Sequence, residues 1–193
     1  MALYSTENKA QLSNSQIALR VALGLIVLAI TVLLILNRDK VQALQQYGYV
    51  GIFLFSVLSN ATIIFPLPGV VFTTAMGAVF NPLWVALAAG AGAAIGELSG
   101  YLAGVSGQIF LQNTEREQKV QAWMQKNGAW TILVLAFVPN PLFDIAGIVA
   151  GSMKVPLWKF LLLCSVGKIG KMLAFSYLGA GIYSVTRDRK SVV

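Results

Sequence analysis

Four charged side chains lie inside apolar stretches of this sequence: Glu97, Asp144, Lys168 and Lys171. At the middle of a membrane-spanning helix each such charge costs about 2.5–3.5 kcal/mol, so each is expected to face the protein interior and to have a partner. Lys168 and Lys171 are three residues apart and share one helical face. Lysine ammonium groups bind phosphate as point charges, and the acids could hold protons or cations. The pattern indicates either a polar groove for a phosphate headgroup or a structural ion pair.

The composition around these charges is that of an integral membrane protein. The chain is 57% hydrophobic and 11% charged, whereas soluble domains average about 25% charged residues. Between Lys40 and Glu115 the only charged residue is Glu97. The net charge of +7 comes from basic residues near the ends of apolar runs, which is typical of headgroup anchoring. We therefore expect membrane lipids as partners, and no nucleic acid.

Histidine is absent from the sequence and there is one cysteine, Cys164. Metal sites and disulfide frameworks depend on these residues, so we predict no metal and no cofactor. An intramembrane enzyme would need a His–Asp pair, a Ser–Lys dyad or a metal cluster. Ser165, three residues before Lys168, is the one dyad candidate and is a weak one. We predict that the protein is not an enzyme.

The first apolar run, Ile17–Leu36, is long enough to span a bilayer and longer than the apolar part of a signal peptide. It ends in "NRDK", without a small-residue cleavage site. An uncleaved anchor helix is therefore predicted over a signal peptide. Together with an interfacial segment it forms an N-terminal region, residues 1–47.

Two later apolar segments are broken by Pro-x-Pro. The first break is Pro66-Leu67-Pro68 followed by Gly69, and the second is Pro139-Asn140-Pro141. Proline inside a helix costs roughly 3 kcal/mol or more, so a continuous helix is excluded at both places. The run that follows the first break, Val70–Phe80, would be about 16 Å long as a helix, half of a roughly 30 Å hydrocarbon core.

The order of these elements occurs twice. "GAVFNPLW" (Gly77–Trp84) matches "GSMKVPLW" (Gly151–Trp158) at an offset of 74 residues. The sequence therefore predicts a membrane domain over 48–183: repeat 1 at 48–107, an interfacial amphipathic helix at 108–128 and repeat 2 at 129–183. A basic tail, 184–193, follows. Carried forward, the same offset places Glu97 on Lys171, and we predict that these two pair, with Lys168 or Asp144 as the alternative partners.

A segment that enters the membrane, turns at Pro-x-Pro and is too short to cross must return to its own side. Its free backbone groups cannot face lipid, so the two turns, Phe65–Gly69 and Val138–Leu142, are expected to meet near the midplane. Because one full span separates them, the hairpins enter from opposite sides. The predicted fold is an all-α integral membrane protein: an inverted repeat of re-entrant Pro-x-Pro hairpin plus transmembrane helix, preceded by the anchor helix. The alternative is that the prolines merely kink two ordinary spans.

Glycines recur every fourth residue from Gly92 to Gly104 and make one smooth helix face. Such faces let helix backbones approach closely. Packing within the chain is favoured over dimerisation, although a homo-oligomer remains possible.

The stretches "FPLPGVVFTTAMGAVFNPLW" and "GAAIGELSGYLAG" resemble the signature of the DedA / VTT-domain superfamily, also called SNARE-associated Golgi proteins. The similarity covers roughly residues 48–183. It implies two opposed re-entrant hairpins, and activity as a scramblase or flippase for phospholipid or polyprenyl-phosphate carriers.

Several residues match the motifs of that family at both hairpins and in the helix that follows the first. The matching positions are Pro66, Pro68, Gly69, Gly96, Glu97, Gly100, Tyr101, Pro139 and Gly147. The acid and the arginines that many bacterial DedA proteins carry beside the hairpins are replaced here by Asn60, Val70, Val71, Asn140 and Asp144. These departures favour a more distant VTT branch. The candidate substrate pathway comprises Pro66, Pro68, Gly69, Glu97, Tyr101, Pro139, Asn140, Pro141, Asp144, Lys168 and Lys171.

The leading functional prediction is a scramblase- or flippase-type transporter of phospholipid or lipid-phosphate headgroups. A small-solute or ion transporter that uses the same site, and a non-transporting membrane scaffold, are the alternatives. The protein is expected in a bacterial plasma (inner) membrane or an organelle membrane. Slightly more basic residues lie on the side of the N-terminus, so the positive-inside rule predicts a cytoplasmic N-terminus.

Overall fold

The computed structural model describes residues 45–61, 69–107, 115–140 and 142–190. The predicted anchor helix Ile17–Leu36 and the prolines Pro66, Pro68 and Pro141 lie outside these ranges. Within them the regular structure is entirely α-helical, as predicted. The helices are α1 (Gln45–Ala61), α2 (Gly69–Val79), α3 (Pro82–Gly96), α4 (Leu98–Ser106), α5 (Glu115–Phe137), α6 (Leu142–Ser152) and α7 (Leu157–Lys190).

Within the described ranges, two stretches are long and apolar enough to cross a membrane, Pro82–Ser106 and Leu157–Ser184. The first comprises α3 and α4, which are separated by Glu97 alone. Hydrogen bonding continues across the junction, because the Glu97 N–H donates to the Ala93 carbonyl (3.2 Å) and the Tyr101 N–H donates to the Glu97 carbonyl (3.1 Å). The second is α7, which continues to Lys190. The basic segment predicted as a separate tail is therefore helical as far as that residue, since it contains neither glycine nor proline to end the helix.

Helix α5 joins the predicted interfacial helix to the first run of repeat 2. The backbone of Asn127 (φ −150°, ψ 64°) leaves the helical region and kinks α5 there. Before the kink, Val120 and Met124 are buried while Trp123 is exposed, which is the amphipathic pattern expected at a membrane surface. The predicted boundary between the interfacial helix and repeat 2, at residue 128, therefore coincides with a bend in α5 and not with the end of a helix.

Helices α1 and α2 form a hairpin whose two outer ends touch. The rings of Tyr49 and Phe80 have centroids 5.6 Å apart, and the Asn81 N–H donates to the Tyr49 hydroxyl (3.3 Å). The chain therefore returns, at the end of α2, to the end of α1 where it began. Asn81 also starts α3, because its side-chain oxygen accepts from the Leu83 N–H (3.0 Å) as an N-cap.

The two halves of the described domain repeat one another's packing. The contact of α2 with α7 in one half corresponds to the contact of α6 with α4 in the other. In the same way, α1 packs on α3 and α5 packs on α7. Helices α3 and α7 contact each other at the centre. Two glycines on the short helices allow this: Gly77 lies against the backbone of Ser176, and Gly151 lies against the backbone of Tyr101. Each half also has its own cluster of buried apolar side chains.

Glycines on the long helices make the reciprocal contacts, Gly104 with the Ile148 carbonyl and Gly179 with the Thr74 carbonyl. The residues that make the same contact in the two halves are equivalent. On the short helices these are Thr74 and Ile148, which are 74 positions apart in the sequence. On the long helices they are Gly104 and Gly179, which are 75 positions apart. The predicted offset of 74 does not continue into the long helices. This difference of one residue changes which positions in α3, α4 and α7 correspond.

The close approach of α7 to α2 predicts opposite effects for two neighbouring glycines. A methyl group at Gly179 would collide with the backbone of Thr74, whereas one at Gly181 would meet nothing within 4 Å. Gly179→Ala should destabilise the protein by about 1–3 kcal/mol, as overpacking does. Gly181→Ala should be neutral or stabilise by up to about 1 kcal/mol, because alanine is the better helix former. Thermal unfolding in detergent measures both; equal shifts would contradict the packing of α2 on α7.

Candidate functional site

A buried ion pair joins the two halves of the domain. The Lys168 ammonium on α7 donates to Oε1 of Glu97 across 2.5 Å, and both residues are only 3% exposed. The same ammonium donates to Oδ1 of Asn60 on α1 (3.0 Å) and lies 4.5 Å from the centre of the Phe143 ring on α6. Side chains from α1, the α3–α4 junction and α6 thus surround one lysine of α7.

Contacts within α1, and the close approach of the α3–α4 rod to α1, position the groups that accept hydrogen bonds from Lys168. Asn60 stands in the last turn of α1, where its amide nitrogen donates to the Ser56 carbonyl (2.9 Å) and the Ser59 hydroxyl (3.1 Å). Its Oδ1 is therefore turned toward Lys168. Gly96 lets the α3–α4 rod approach α1 at this level, because a side chain there would collide with the Val57 carbonyl and Asn60.

The predicted pairing of Glu97 with Lys171 is wrong, and the alternative partner, Lys168, makes the ion pair. The physical reason is the register of the repeat. At the offset of 75 that the long helices adopt, Lys171 corresponds to Gly96 rather than to Glu97. The two residues are therefore not brought together by the exchange of the two halves.

Lys171 follows Lys168 by about one helical turn and is 8% exposed. It interacts electrostatically with Glu97 and Asp144, yet within the described ranges it makes no hydrogen bond and no ion pair. Oε2 of Glu97 faces Gly147 and likewise has no hydrogen bond among the described residues. Beside the closed Lys168–Glu97 pair, the site thus presents a buried cation and a buried acceptor with unused bonding capacity.

The prediction that Asp144 faces the interior is wrong, because its side chain is exposed. It lies in the first turn of α6, where a carboxylate is stabilised by the positive end of the helix dipole. Lys168 and Lys171 both attract it electrostatically. Asp144 is therefore at the edge of the charged cluster rather than inside it.

Tyr101, also a candidate pathway residue, has a packing role in the structure. Its hydroxyl donates to the Val155 carbonyl (2.5 Å), and its ring stacks on Phe160 with centroids 5.0 Å apart. It ties α4 to the turn before α7. Nothing brings its hydroxyl to the lysines.

The described hairpin residues have local roles. Asn140 accepts from the Leu142 N–H (2.9 Å) and caps α6, Pro139 is exposed, and Gly69 begins α2. The other turn residues, Pro66, Pro68 and Pro141, are outside the described ranges, so the meeting of the two turns stays a prediction.

Asn60 and Phe143 were not among the predicted pathway residues. The sequence does contain a signal for Asn60, because it is a polar side chain at the end of an apolar helix. Phe143 had none, since an aromatic residue in an apolar stretch is ordinary. In the part of the chain that the structure describes, no three cysteine, aspartate or glutamate side chains form a metal-binding group, so the chemistry of the site is that of paired and unpaired charge.

The buried pair predicts strong coupling between two substitutions. Glu97→Gln or Lys168→Met alone leaves an uncompensated buried charge, which typically costs about 3–5 kcal/mol, whereas removing both charges can be nearly neutral. Thermal unfolding in detergent should show a large loss for each single variant and substantial recovery in the double variant. Glu115→Gln, at an exposed position on α5, is the control and should change stability little. Additive losses in the double variant would contradict the pairing.

Comparison with known proteins gives the family. The VTT domain family matches residues 67–181, more than half of the chain. The chain is 33% identical to a vacuole membrane protein 1 homolog of Dictyostelium discoideum over 111 residues, 44% of this chain and 28% of that protein. It is 49% identical to human vacuole membrane protein 1 over 49 residues, 25% of this chain and 12% of that protein.

A Lactococcus lactis protein named "alkaline phosphatase-like protein" is 28% identical over 161 residues, 74% of each chain. No solved structure matches the chain. The vacuole membrane proteins are matched over less than a third of their own length. This chain, whose described part contains two helices long and apolar enough to cross a membrane, belongs to the VTT-domain family of membrane proteins.

Proposed function

We propose that this protein is a transporter that moves phospholipid or lipid-phosphate headgroups across the membrane, as a scramblase or flippase. The observation that supports this most is Lys171, a buried cation that has no hydrogen bond or ion pair within the described ranges. A buried charged group without a hydrogen-bond partner is costly. An anionic headgroup would relieve that cost. Membership of the VTT-domain family and the placement of the cluster between the two halves agree with this proposal.

The headgroup phosphate would be held by Lys171 and then shared with Lys168. Attraction between opposite charges is several times stronger in a protein interior than in water, so a phosphate can compete with Glu97 for Lys168. Glu97 would keep Lys168 compensated when no headgroup is present, because their direct pair is already formed. The ion pair would then act as a closed state that a passing phosphate opens.

The broken helices would provide the route, as re-entrant hairpins in an inverted repeat. Helices α2 and α6 have eleven residues each, about 16 Å, which is too short to cross. The touching ends of the α1–α2 hairpin at Tyr49 and Asn81 support a segment that returns to its own side. In transporters, such broken elements build the substrate site near the midplane.

The proposed partners are membrane lipids, and the proposed location is a bacterial plasma membrane or an organelle membrane. Relatives named for the vacuole membrane agree with the second.

Reconstituted vesicles test the transport directly. In empty vesicles an external reductant bleaches only the fluorescent phospholipid of the outer leaflet. With purified protein, bleaching should continue beyond that fraction, because inner-leaflet lipid reaches the outer leaflet. Lys171→Gln should slow this step about tenfold, since hydrogen bonds to charged groups contribute about 1.5–3 kcal/mol. Lys159→Gln, at an exposed position, is the matched control and should retain the rate.

Three results would contradict the proposal. Equal bleaching with and without protein, at verified insertion, would favour the scaffold. Wild-type rates in Lys171→Gln would make the cluster structural. Flux of a small charged solute without lipid exchange would favour the solute transporter.

Cysteine labelling tests re-entrance. In a Cys164→Ala background, single cysteines replacing Tyr47 and Asn81, at the two ends of the α1–α2 hairpin, should react with an impermeant maleimide from the same side of sealed vesicles. Cysteines replacing Gln125 and Ser152, which flank the second hairpin, should react from the other side. All four positions are exposed. Labelling of Tyr47→Cys and Asn81→Cys from opposite sides would show that α1 and α2 together form one kinked span that crosses the membrane once.

A further inference from the structure

One face of α5 alternates lysine with tryptophan. Lys119, Trp123 and Lys126 follow one another at spacings of four and three residues, which keeps them on one side of the helix before the kink. Trp130 follows the kink and lines the same cavity as Trp123 and Lys126. All four are exposed, and Trp130 is 67% exposed. Tryptophan rings prefer the headgroup level of a bilayer, and lysines there attract anionic lipids. This face therefore lies at the membrane surface with two cations pointing outward.

The kink at Asn127 opens a cavity of about 360 Å³ in this face. Trp123 and Trp130 form part of its wall, Lys126 is its one charged lining residue, and Val134 lies toward its apolar end. A second cavity of about 360 Å³ also uses Val134 and continues between α5 and α7, past Val166 and the two glycines Gly167 and Gly170. Val134 lines both cavities, so they lie side by side on α5, and we call the pair the groove. The first cavity holds the charged residue, and the second is lined by apolar residues and glycines.

We propose that this groove is a binding site for one anionic phospholipid of the surrounding bilayer. Its phosphate lies at Lys126 between Trp123 and Trp130, and one acyl chain lies along Val134 toward Val166. A cation at one end and apolar walls along the rest match the two parts of a phospholipid. A second copy of the chain fits less well, because a symmetric contact through this face would bring like-charged lysines together.

This site is separate from the buried Lys168–Glu97 pair, and it does not depend on the proposed transport. A lipid bound here would hold the kinked helix α5 at the membrane surface whether or not lipid also crosses between the halves. Transport assays and binding assays can therefore fail independently.

Photo-crosslinking of the full chain in vesicles tests the proposal. Phosphatidylcholine vesicles receive a trace of phosphatidylglycerol with a diazirine on its acyl chain, or of phosphatidylcholine with the same diazirine, and labelled residues are mapped by mass spectrometry. The anionic lipid should label 133–137 and 166–170 about fivefold more than the neutral one, since a surface lysine contributes about 1 kcal/mol to anionic-lipid binding.

Two matched pairs of variants separate the headgroup from the acyl chain. Lys126→Gln should abolish the preference for the anionic lipid. Lys159→Gln should keep it, although Lys159 also lies beside an exposed tryptophan, with its ammonium 5.4 Å from the Trp158 ring. Val134→Trp fills the groove and should reduce labelling of 166–170 by both lipids, whereas Val105→Trp, at an equally exposed position on α4, should not.

Equal labelling by both lipids, spread over all lipid-facing helices, would mean that only ordinary boundary lipid covers α5 and would overturn the proposal. So would an equal effect of Lys126→Gln and Lys159→Gln. Crosslinks between two protein chains at Val134, in place of lipid labelling, would assign the groove to a second copy. Unfolding temperatures of the four variants within a few degrees of wild type confirm that they are folded.

Discussion

The buried contact between Lys168 and Glu97 is the interaction on which the described domain depends, because neither charge is tolerable there alone. Its energy comes from mutual compensation in a low-dielectric interior, together with the amide oxygen of Asn60 and the ring of Phe143. These partners come from α1, the α3–α4 rod, α6 and α7. A displacement of any one of these helices would expose or orphan a charge, so the pair specifies how the two halves sit together.

Close contacts at glycines allow the helices to pack in that arrangement. Gly77, Gly104, Gly151 and Gly179 bring the short helices α2 and α6 against the long helices in the same way in both halves. The two halves therefore pack in the same way, but their charged residues differ. The buried acid, Glu97, comes from one half, and the two buried lysines come from the other. The functional site is thus asymmetric within a frame that repeats.

Much of this could be read from the sequence. The apolar composition, the all-helical structure and the two long apolar stretches follow from hydropathy, which acts over a few neighbouring residues. The four charges in apolar stretches marked the region of the site for the same reason, since a charge in hydrocarbon is unfavourable wherever the helix goes. The family followed from the motifs around Gly69 and Glu97. The bend at Asn127 was not predicted; only a boundary at residue 128 was.

The tertiary structure alone decided which charges meet. A repeat read at an offset of 74 paired Glu97 with Lys171, but the close approach of the long helices sets their correspondence at 75, and the acid reaches Lys168 instead. The tertiary structure also places Asp144 at the edge of the cluster and gives the Tyr101 ring a packing contact with Phe160. One residue of register turns a helical position by about 100°, and that register depends on where distant backbones touch, which no local pattern in the sequence records.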